Sequence, residues 1–224
     1  MSAAPRALAA LVFDFDGLVL DTESAEYRSI NEVFSDHGEE LSLELWSSFI
    51  GSVDHPHWTE ILEGQLGRPV DRDQLVAARR ATNRAVLAEL PVNPGVIDLL
   101  DEARAAGVRL AMASSSPRSW VEGHLHDRQL LDHFEFVVCG DDVERTKPDP
   151  ALYLLATGRL GVEAAAVVAI EDSPNGCLAA VAAGLSVLAV PGPLTRGMDF
   201  SVASRVIDSL NDVRLADLEL LVAG

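Results

Sequence analysis

Five short runs of apolar residues occupy positions 10–15, 108–113, 134–139, 167–170 and 186–190 of the chain. Apolar residues dominate each run, with single charged residues at Asp14, Arg109 and Glu135, and the regular alternation that marks a strand exposed on one face is missing. Continuously apolar strands are typical of parallel sheets whose two faces are both covered by helices. The pattern therefore predicts a buried parallel sheet.

Helical segments separate the later runs, at positions 95–107, 117–131, 150–161 and 174–184. A proline lies at or next to the start of each segment, and a glycine closes three of them, as helix ends favour. Strand and helix thus alternate along the chain. This order predicts a doubly wound α/β fold with a Rossmann-like core.

The stretch that begins near Thr22 and ends near Pro91 breaks this alternation. It contains consecutive helical segments and no convincing strand. We predict an inserted helical cap over residues 21–91, and a discontinuous core formed by residues 1–20 and 92–224. The hinges between cap and core are expected near residues 17–21 and 91–95.

Composition excludes several classes of protein. The chain has 224 residues, of which 48% are hydrophobic and 23% charged, and no apolar run approaches the ~20 residues of a membrane span. A net charge of −18 disfavours nucleic acid and anionic membranes as partners. The two cysteines suggest neither a disulfide framework nor a zinc site. We expect a cytoplasmic protein that binds a small molecule and is monomeric.

Polar residues that could take part in binding or catalysis follow four of the five apolar runs. They are Asp14 and Asp16, the serines at 114–116, Lys147, and the pair Glu171 and Asp172. Because ligands bind beyond the carboxyl ends of strands in open α/β sheets, these side chains should converge. Carboxylates, hydroxyls and an ammonium group together suit Mg²⁺ and an anionic substrate. The sequence therefore favours phosphoryl transfer.

Asp14 is the candidate nucleophile, because a carboxylate can attack phosphorus and form an aspartyl phosphate. Asp16 lies two residues further on, where it could protonate the leaving oxygen and later deprotonate a water molecule. Gly17 allows the chain to turn sharply after these residues.

Four segments resemble the motifs of the haloacid dehalogenase superfamily: "DFDGLVLDTE", "ASSS", "KPDP" and "IEDSPNG". The helical insert is similar to the first class of cap in that superfamily. The resemblance implies the same roles for Asp14 and Asp16. It also implies that Ser114 and Ser115 bind phosphate and that Lys147 steadies the nucleophile and the phosphoryl group.

The resemblance further implies a Mg²⁺ site. Its ligands would be Asp14, the backbone carbonyl of Asp16, and Asp172, with Glu171 nearby or acting through water. Lys147 is the only lysine in the chain. A compact ammonium group suits a crowded phosphate site better than a broad guanidinium does.

Cap residues are expected to recognise the substrate. Gly51, His55 and Arg80 are the candidates, and His57 and Arg84 lie close to them in the sequence. Arg80 and Arg84 are four residues apart on a predicted helix, so they also fit a solvated helix face.

We predict a Mg²⁺-dependent phosphatase that acts on a small phosphorylated metabolite, for example a sugar phosphate. One alternative is a β-phosphoglucomutase, but such mutases carry a histidine early in the cap, where this chain reads "TESAEYRS". The other alternative is a catalytically silent binding protein of the same fold. Asp16 argues against a dehalogenase, and the lack of a cap lysine argues against a phosphonate-cleaving enzyme.

Overall fold

Six parallel strands form a single sheet in the computed structural model, which describes residues 7–49 and 56–223. The strands are β1 (Ala10–Phe13), β2 (Arg109–Ala113), β3 (Phe136–Val138), β4 (Val167–Glu171), β5 (Ser186–Ala189) and β6 (Arg205–Val206). Their order across the sheet is β3-β2-β1-β4-β5-β6, and every neighbouring pair is parallel. This confirms the predicted doubly wound α/β fold.

Nine α-helices accompany the sheet in the described ranges. They are α1 (Thr22–Asp36), α2 (Leu43–Ser47), α3 (Trp58–Leu66), α4 (Arg72–Glu89), α5 (Val96–Ala105), α6 (Arg118–Asp127), α7 (Ala151–Leu160), α8 (Pro174–Ala182) and α9 (Leu215–Val222). None of the helices in these ranges is long and apolar enough to cross a membrane.

Alternate residues of each strand point to opposite faces of the sheet, and both faces are covered. Leu11 and Phe13 of β1 pack in a cluster with residues of α5, α6 and α9. Ala10 and Val12 of the same strand pack in a second cluster with residues of α7 and α8. Burial on both faces explains why the strands are continuously apolar in sequence.

Helices α1 to α3 contribute to a hydrophobic cluster of their own. Its buried members include Ile30, Phe34, Trp46 and Leu62, and partly buried residues of α4 pack against it. A separate cluster supports the proposal that residues 21–91 form a cap domain. The exact boundaries remain predictions.

Two elements at the carboxyl-terminal end had no counterpart in the sequence prediction, and one helix is shorter than predicted. Strand β6 has only two residues, Arg205 and Val206, too few to give a periodic signal, and α9 follows it. Helix α6 ends at Asp127, and Gln129, two residues further on, adopts a left-handed conformation with φ 59° that stops the helix from continuing.

Asn93 joins the two connections between the predicted cap and the core. Its side-chain amide donates hydrogen bonds to the carbonyls of Gly17 (2.9 Å) and Leu18 (2.8 Å). Its backbone N–H donates to the carbonyl of Val19 at 2.9 Å. The two connections therefore lie side by side and are held together by one residue.

We expect Asn93→Ala to lower the free energy of unfolding by about 1–3 kcal/mol, because two partly buried carbonyls lose their donor. Urea denaturation measures this change. Asn211→Ala, at an exposed asparagine, is the matched control and should change stability by less than about 0.5 kcal/mol. Equal stability of the two variants would contradict the proposed role of Asn93.

Candidate active site

The predicted site residues converge at the carboxyl end of the sheet. Strand β1 lies at the centre, with β2 and β4 as its neighbours, so the segments that follow these strands meet. They line a cavity of about 720 Å³. The predicted residues on its wall are Asp14, Asp16, Ser114, Ser115, Lys147 and Asp172. Glu171 is fully buried.

Lys147 lies between two of the buried carboxyl groups at this end of the sheet. Its Nζ donates a short hydrogen bond to Asp14 Oδ1 and lies 2.7 Å from Glu171 Oε1. The Tyr153 ring lies below the ammonium, with 5.2 Å between Nζ and the ring centroid. The Tyr153 hydroxyl donates a short hydrogen bond to the same Glu171 oxygen. Only 6% of the Lys147 side chain is exposed, so this contact network lies away from solvent.

Burial and charge shift the pKa values of these groups. Burial, opposed by Lys147 and reinforced by the Glu171 carboxylate, raises the pKa of Asp14 to about 7. Burial, followed by the nearby Asp14 and Glu171 carboxylates, raises the pKa of Asp172 well above its usual range. Burial alone would lower the pKa of Lys147, but the Asp14 and Glu171 carboxylates raise it overall. The ammonium group is therefore firmly charged.

Asp16 is held by side chains from three segments. Its Oδ1 accepts hydrogen bonds from Thr22 Oγ1 and Trp120 Nε1, both at 2.9 Å. Its Oδ2 accepts one from Ser116 Oγ at 2.6 Å and a longer one from Ser114 Oγ at 3.4 Å. These hydrogen bonds fix the orientation of the Asp16 carboxylate at the wall of the cavity. The sequence analysis did not identify Thr22 or Trp120.

Three carboxylates could hold a metal ion. One oxygen from each of Asp14, Glu171 and Asp172 lies within 4.8 Å of the others, and all three residues are buried. Lys147 is the cation paired with two of them, so the carboxyl groups outnumber the one cation. Hard oxygen ligands with unbalanced charge fit a divalent cation such as Mg²⁺. The Asp16 carboxylate is not in this group.

None of the candidate cap residues that the structure describes lines the catalytic cavity. Gly51 and His55 lie outside the described residues. His57 caps the start of α3, where its Nδ1 accepts a hydrogen bond from Thr59 N at 3.3 Å. Arg80 is exposed and lines an adjoining cavity of about 190 Å³, which shares Glu26 and Arg79 with the catalytic cavity, and Arg84 is exposed as well. We therefore find no contact of Arg80 with the catalytic cavity among the described residues.

Other residues of the predicted cap line the catalytic cavity. The cavity wall includes Glu23 and Glu26 from α1, and Arg79 and Asn83 from α4. Burial, and then the neighbouring Glu26 carboxylate, raises the pKa of Glu23 to about 8. Arg79 and Asn83 are four residues apart, as Arg80 and Arg84 are. Helical spacing was the available signal, but it does not show which of two adjacent faces points inward.

The fold and the site together define a class of enzyme: a hydrolase of α/β fold with a buried aspartate at the end of its central strand, a lysine against that aspartate, and a second aspartate beside it. The family model described as haloacid dehalogenase-like hydrolase matches residues 11–190. The chain therefore belongs to the haloacid dehalogenase-like hydrolases, and it is a phosphatase by class. The resemblance seen in the sequence is confirmed.

Individual relatives match along most of the chain. Protein YhcW of Bacillus subtilis is 40% identical over 207 residues, which are 92% of this chain and 94% of that protein. Phosphoglycolate phosphatase of Nitrosospira multiformis is 32% identical, over 87% of this chain and 88% of its own. The crystal structure of CbbY from Rhodobacter sphaeroides in complex with xylulose-(1,5)bisphosphate is 30% identical, covers 94% of this chain and 99% of its own, and has a TM-score of 0.75.

Gly17 allows the closest approach in the site. Its φ is +78°, and a Cβ at this position would overlap the Asp172 carboxylate. The connection after β1 can therefore pass directly over Asp172 only because residue 17 has no side chain.

We expect Gly17→Ala to destabilise the protein more than Gly38→Ala does. Gly38 has nearly the same φ, +77°, but no atom lies within 4 Å of the place a Cβ would take. Gly38→Ala should therefore lose only the free energy of placing an alanine at positive φ. That cost is about 1–2 kcal/mol. Displacement of Asp172 should add about 1–3 kcal/mol at Gly17. Urea denaturation of both variants measures the difference, and equal losses would exclude the overlap.

Tyr153→Phe keeps the ring below Lys147 but removes the hydroxyl donor to Glu171. We expect a loss of about 1–3 kcal/mol in the free energy of unfolding, because a buried carboxylate oxygen loses one of its partners. Tyr27→Phe is the matched control, since the Tyr27 hydroxyl donates to the Leu41 carbonyl at 3.0 Å from a half-buried side chain. Thermal or urea unfolding in which Tyr27→Phe costs as much as Tyr153→Phe would argue against a special role for the buried network.

Proposed function

We propose that the protein is a Mg²⁺-dependent phosphatase that hydrolyses a small phosphorylated metabolite through an aspartyl-phosphate intermediate. The observation that carries this proposal is the position of Asp14. Its carboxylate lies in a cavity, in contact with Lys147, with Asp16 two residues away and held by three side-chain hydrogen bonds of 2.9 Å or less. A nucleophile, a fixed positive charge and an acid or base are thus side by side.

In the first step, the Asp14 carboxylate attacks phosphorus as the ester bond between phosphorus and the leaving oxygen breaks. Asp16 gives its proton to that oxygen. In the second step, Asp16 takes a proton from a water molecule as the water oxygen attacks phosphorus. The Asp14–phosphorus bond breaks, which returns the free carboxylate and releases inorganic phosphate.

Lys147 stabilises both steps, because its charge offsets the repulsion between the Asp14 carboxylate and the phosphoryl oxygens. Ser114 and Ser115, at the end of β2, are the proposed phosphate contacts. Asp14, Asp172 and the Asp16 carbonyl would hold Mg²⁺, with Glu171 close by. When bound, the ion would add positive charge against the transferring phosphoryl group.

The relatives support a phosphorylated metabolite as substrate. One is named for phosphoglycolate, and the CbbY structure holds xylulose-(1,5)bisphosphate. The cytoplasmic location and the monomeric state expected from the sequence remain predictions.

Phosphate release from a panel of sugar, polyol and nucleotide monophosphates tests the proposal. We expect release with Mg²⁺ and none with EDTA. Asp14→Asn should abolish release, with a loss of at least ~10³ in rate, because an amide does not attack phosphorus.

Inorganic phosphate binding and circular dichroism control for an intact fold in the Asp14→Asn protein. A variant that releases phosphate at the rate of the parent enzyme would exclude covalent catalysis by Asp14. Full activity in EDTA would exclude the metal requirement. Failure of every ester to react would contradict the phosphatase proposal itself.

A further inference from the structure

The cap side of the catalytic cavity carries a charge pattern that bears on the substrate. Four residues of α1 and α4 form this surface, which we call the cap wall: Glu23, Glu26, Arg79 and Asn83. The cap wall shares the cavity with the catalytic carboxylates, so it lies where the organic part of a bound phosphate ester would extend.

The cation of the cap wall is already paired. Arg79 Nη1 donates to Glu26 Oε1 at 2.6 Å, and only 14% of the Arg79 side chain is exposed. Lys147, the other cation on the described cavity surface, is paired with Asp14 and Glu171. A second anionic group on the substrate would therefore meet guanidinium and ammonium groups whose charge is engaged.

Asn83 offers a buried acceptor with no partner. The residue is 7% exposed, and its Oδ1 accepts no hydrogen bond from the described residues. A buried acceptor without a donor costs about 1–3 kcal/mol, so a hydroxyl donor from a ligand would be favourable here. The buried Nε of Arg79 likewise has no acceptor among the described residues, and a hydroxyl oxygen could supply one.

Every other ionisable group on the described cavity surface is a carboxyl group. These carboxyl groups are Asp14, Asp16, Glu23, Glu26 and Asp172. Hydroxyl groups can donate to carboxyl oxygens, whereas a second phosphate or a carboxylate would be repelled by those carboxyl groups that are ionised. Desolvating an anion without a free counter-charge is costly.

We infer that Glu26 and Asn83 select a monophosphate ester whose organic part is neutral and bears hydroxyl groups. Glu26 does so by occupying Arg79, and Asn83 by accepting a hydrogen bond from a substrate hydroxyl. A bisphosphate or a phosphorylated carboxylic acid fits this cavity poorly. The inference rests on the proposed function and narrows its substrate class.

Binding to the Asp14→Asn protein tests the inference without turnover. The probes are glucose 6-phosphate, 6-phosphogluconate, which adds a carboxylate to the same carbon skeleton, and glucose 1,6-bisphosphate, which adds a phosphate. With Mg²⁺ present, titration calorimetry should give a Kd for glucose 6-phosphate at least about tenfold lower than for either charged analogue. Hydrolysis by the parent enzyme should follow the same order in kcat/KM.

Glu26→Gln removes the carboxylate that occupies Arg79. We expect it to improve binding of the two charged analogues about tenfold relative to glucose 6-phosphate, because the guanidinium becomes available. Glu32→Gln, at an exposed position on the same helix, changes the same charge and should leave the preference as it is.

Asn83→Leu removes the acceptor and should weaken glucose 6-phosphate binding about tenfold while inorganic phosphate binds as before. This second variant keeps the inference testable if Glu26→Gln does not fold, which circular dichroism would show. Tighter binding of either charged analogue by the Asp14→Asn protein would overturn the inference. So would a preference unchanged in both cap variants.

Failure of the substrate preference can be distinguished from failure of the proposed phosphatase function. Release of phosphate from a charged analogue in preference to glucose 6-phosphate would leave a phosphatase whose cap wall does not select neutral esters. A parent enzyme that hydrolyses no ester would remove the proposed function, and the inference with it.

Discussion

Buried negative charge around one ammonium group is the constraint on which this site depends. Asp14, Glu171 and Asp172 lie together, buried from solvent, and Lys147 is the cation between two of them. Removing carboxylates from water costs several kcal/mol each unless they are paired. Strands β1 and β4 hold Asp14 and Glu171 side by side, and both Lys147 and the Tyr153 hydroxyl contact Glu171 Oε1.

The core and the cap contribute different kinds of chemistry. In the proposed mechanism the core supplies the groups that act on a phosphoryl group, Asp14, Asp16 and Lys147, all of which line the cavity. We propose that the cap wall faces whatever extends beyond that group, and its one arginine donates a hydrogen bond to Glu26. Relatives in the same family are named for, or hold, compounds that carry a second anionic group. A difference in pairing on the cap wall is a simple way for one core reaction to serve different esters.

Most of the fold could be predicted because burial on both faces leaves a direct record in the sequence. A strand covered by helices on each side is apolar at every position, as β1 is and as β4 is up to its final residue, Glu171. The chemical residues could be placed as well, since they follow strands whose carboxyl ends lie at one edge. Strand β6 could not, because two residues at the sheet edge carry no pattern.

The sequence by itself determined the doubly wound core, the presence of a helical insert, and the side chains at the strand ends. The tertiary structure decided which groups touch. Strand order brings Glu171 beside Asp14 although the two residues are far apart in the chain, and Lys147 and the Tyr153 hydroxyl both contact the same oxygen of Glu171. The rotation of α4 against α1 turns Arg79 and Asn83, instead of Arg80 and Arg84, toward the cavity. Both helix faces have the same spacing, so only packing between the helices could select one of them.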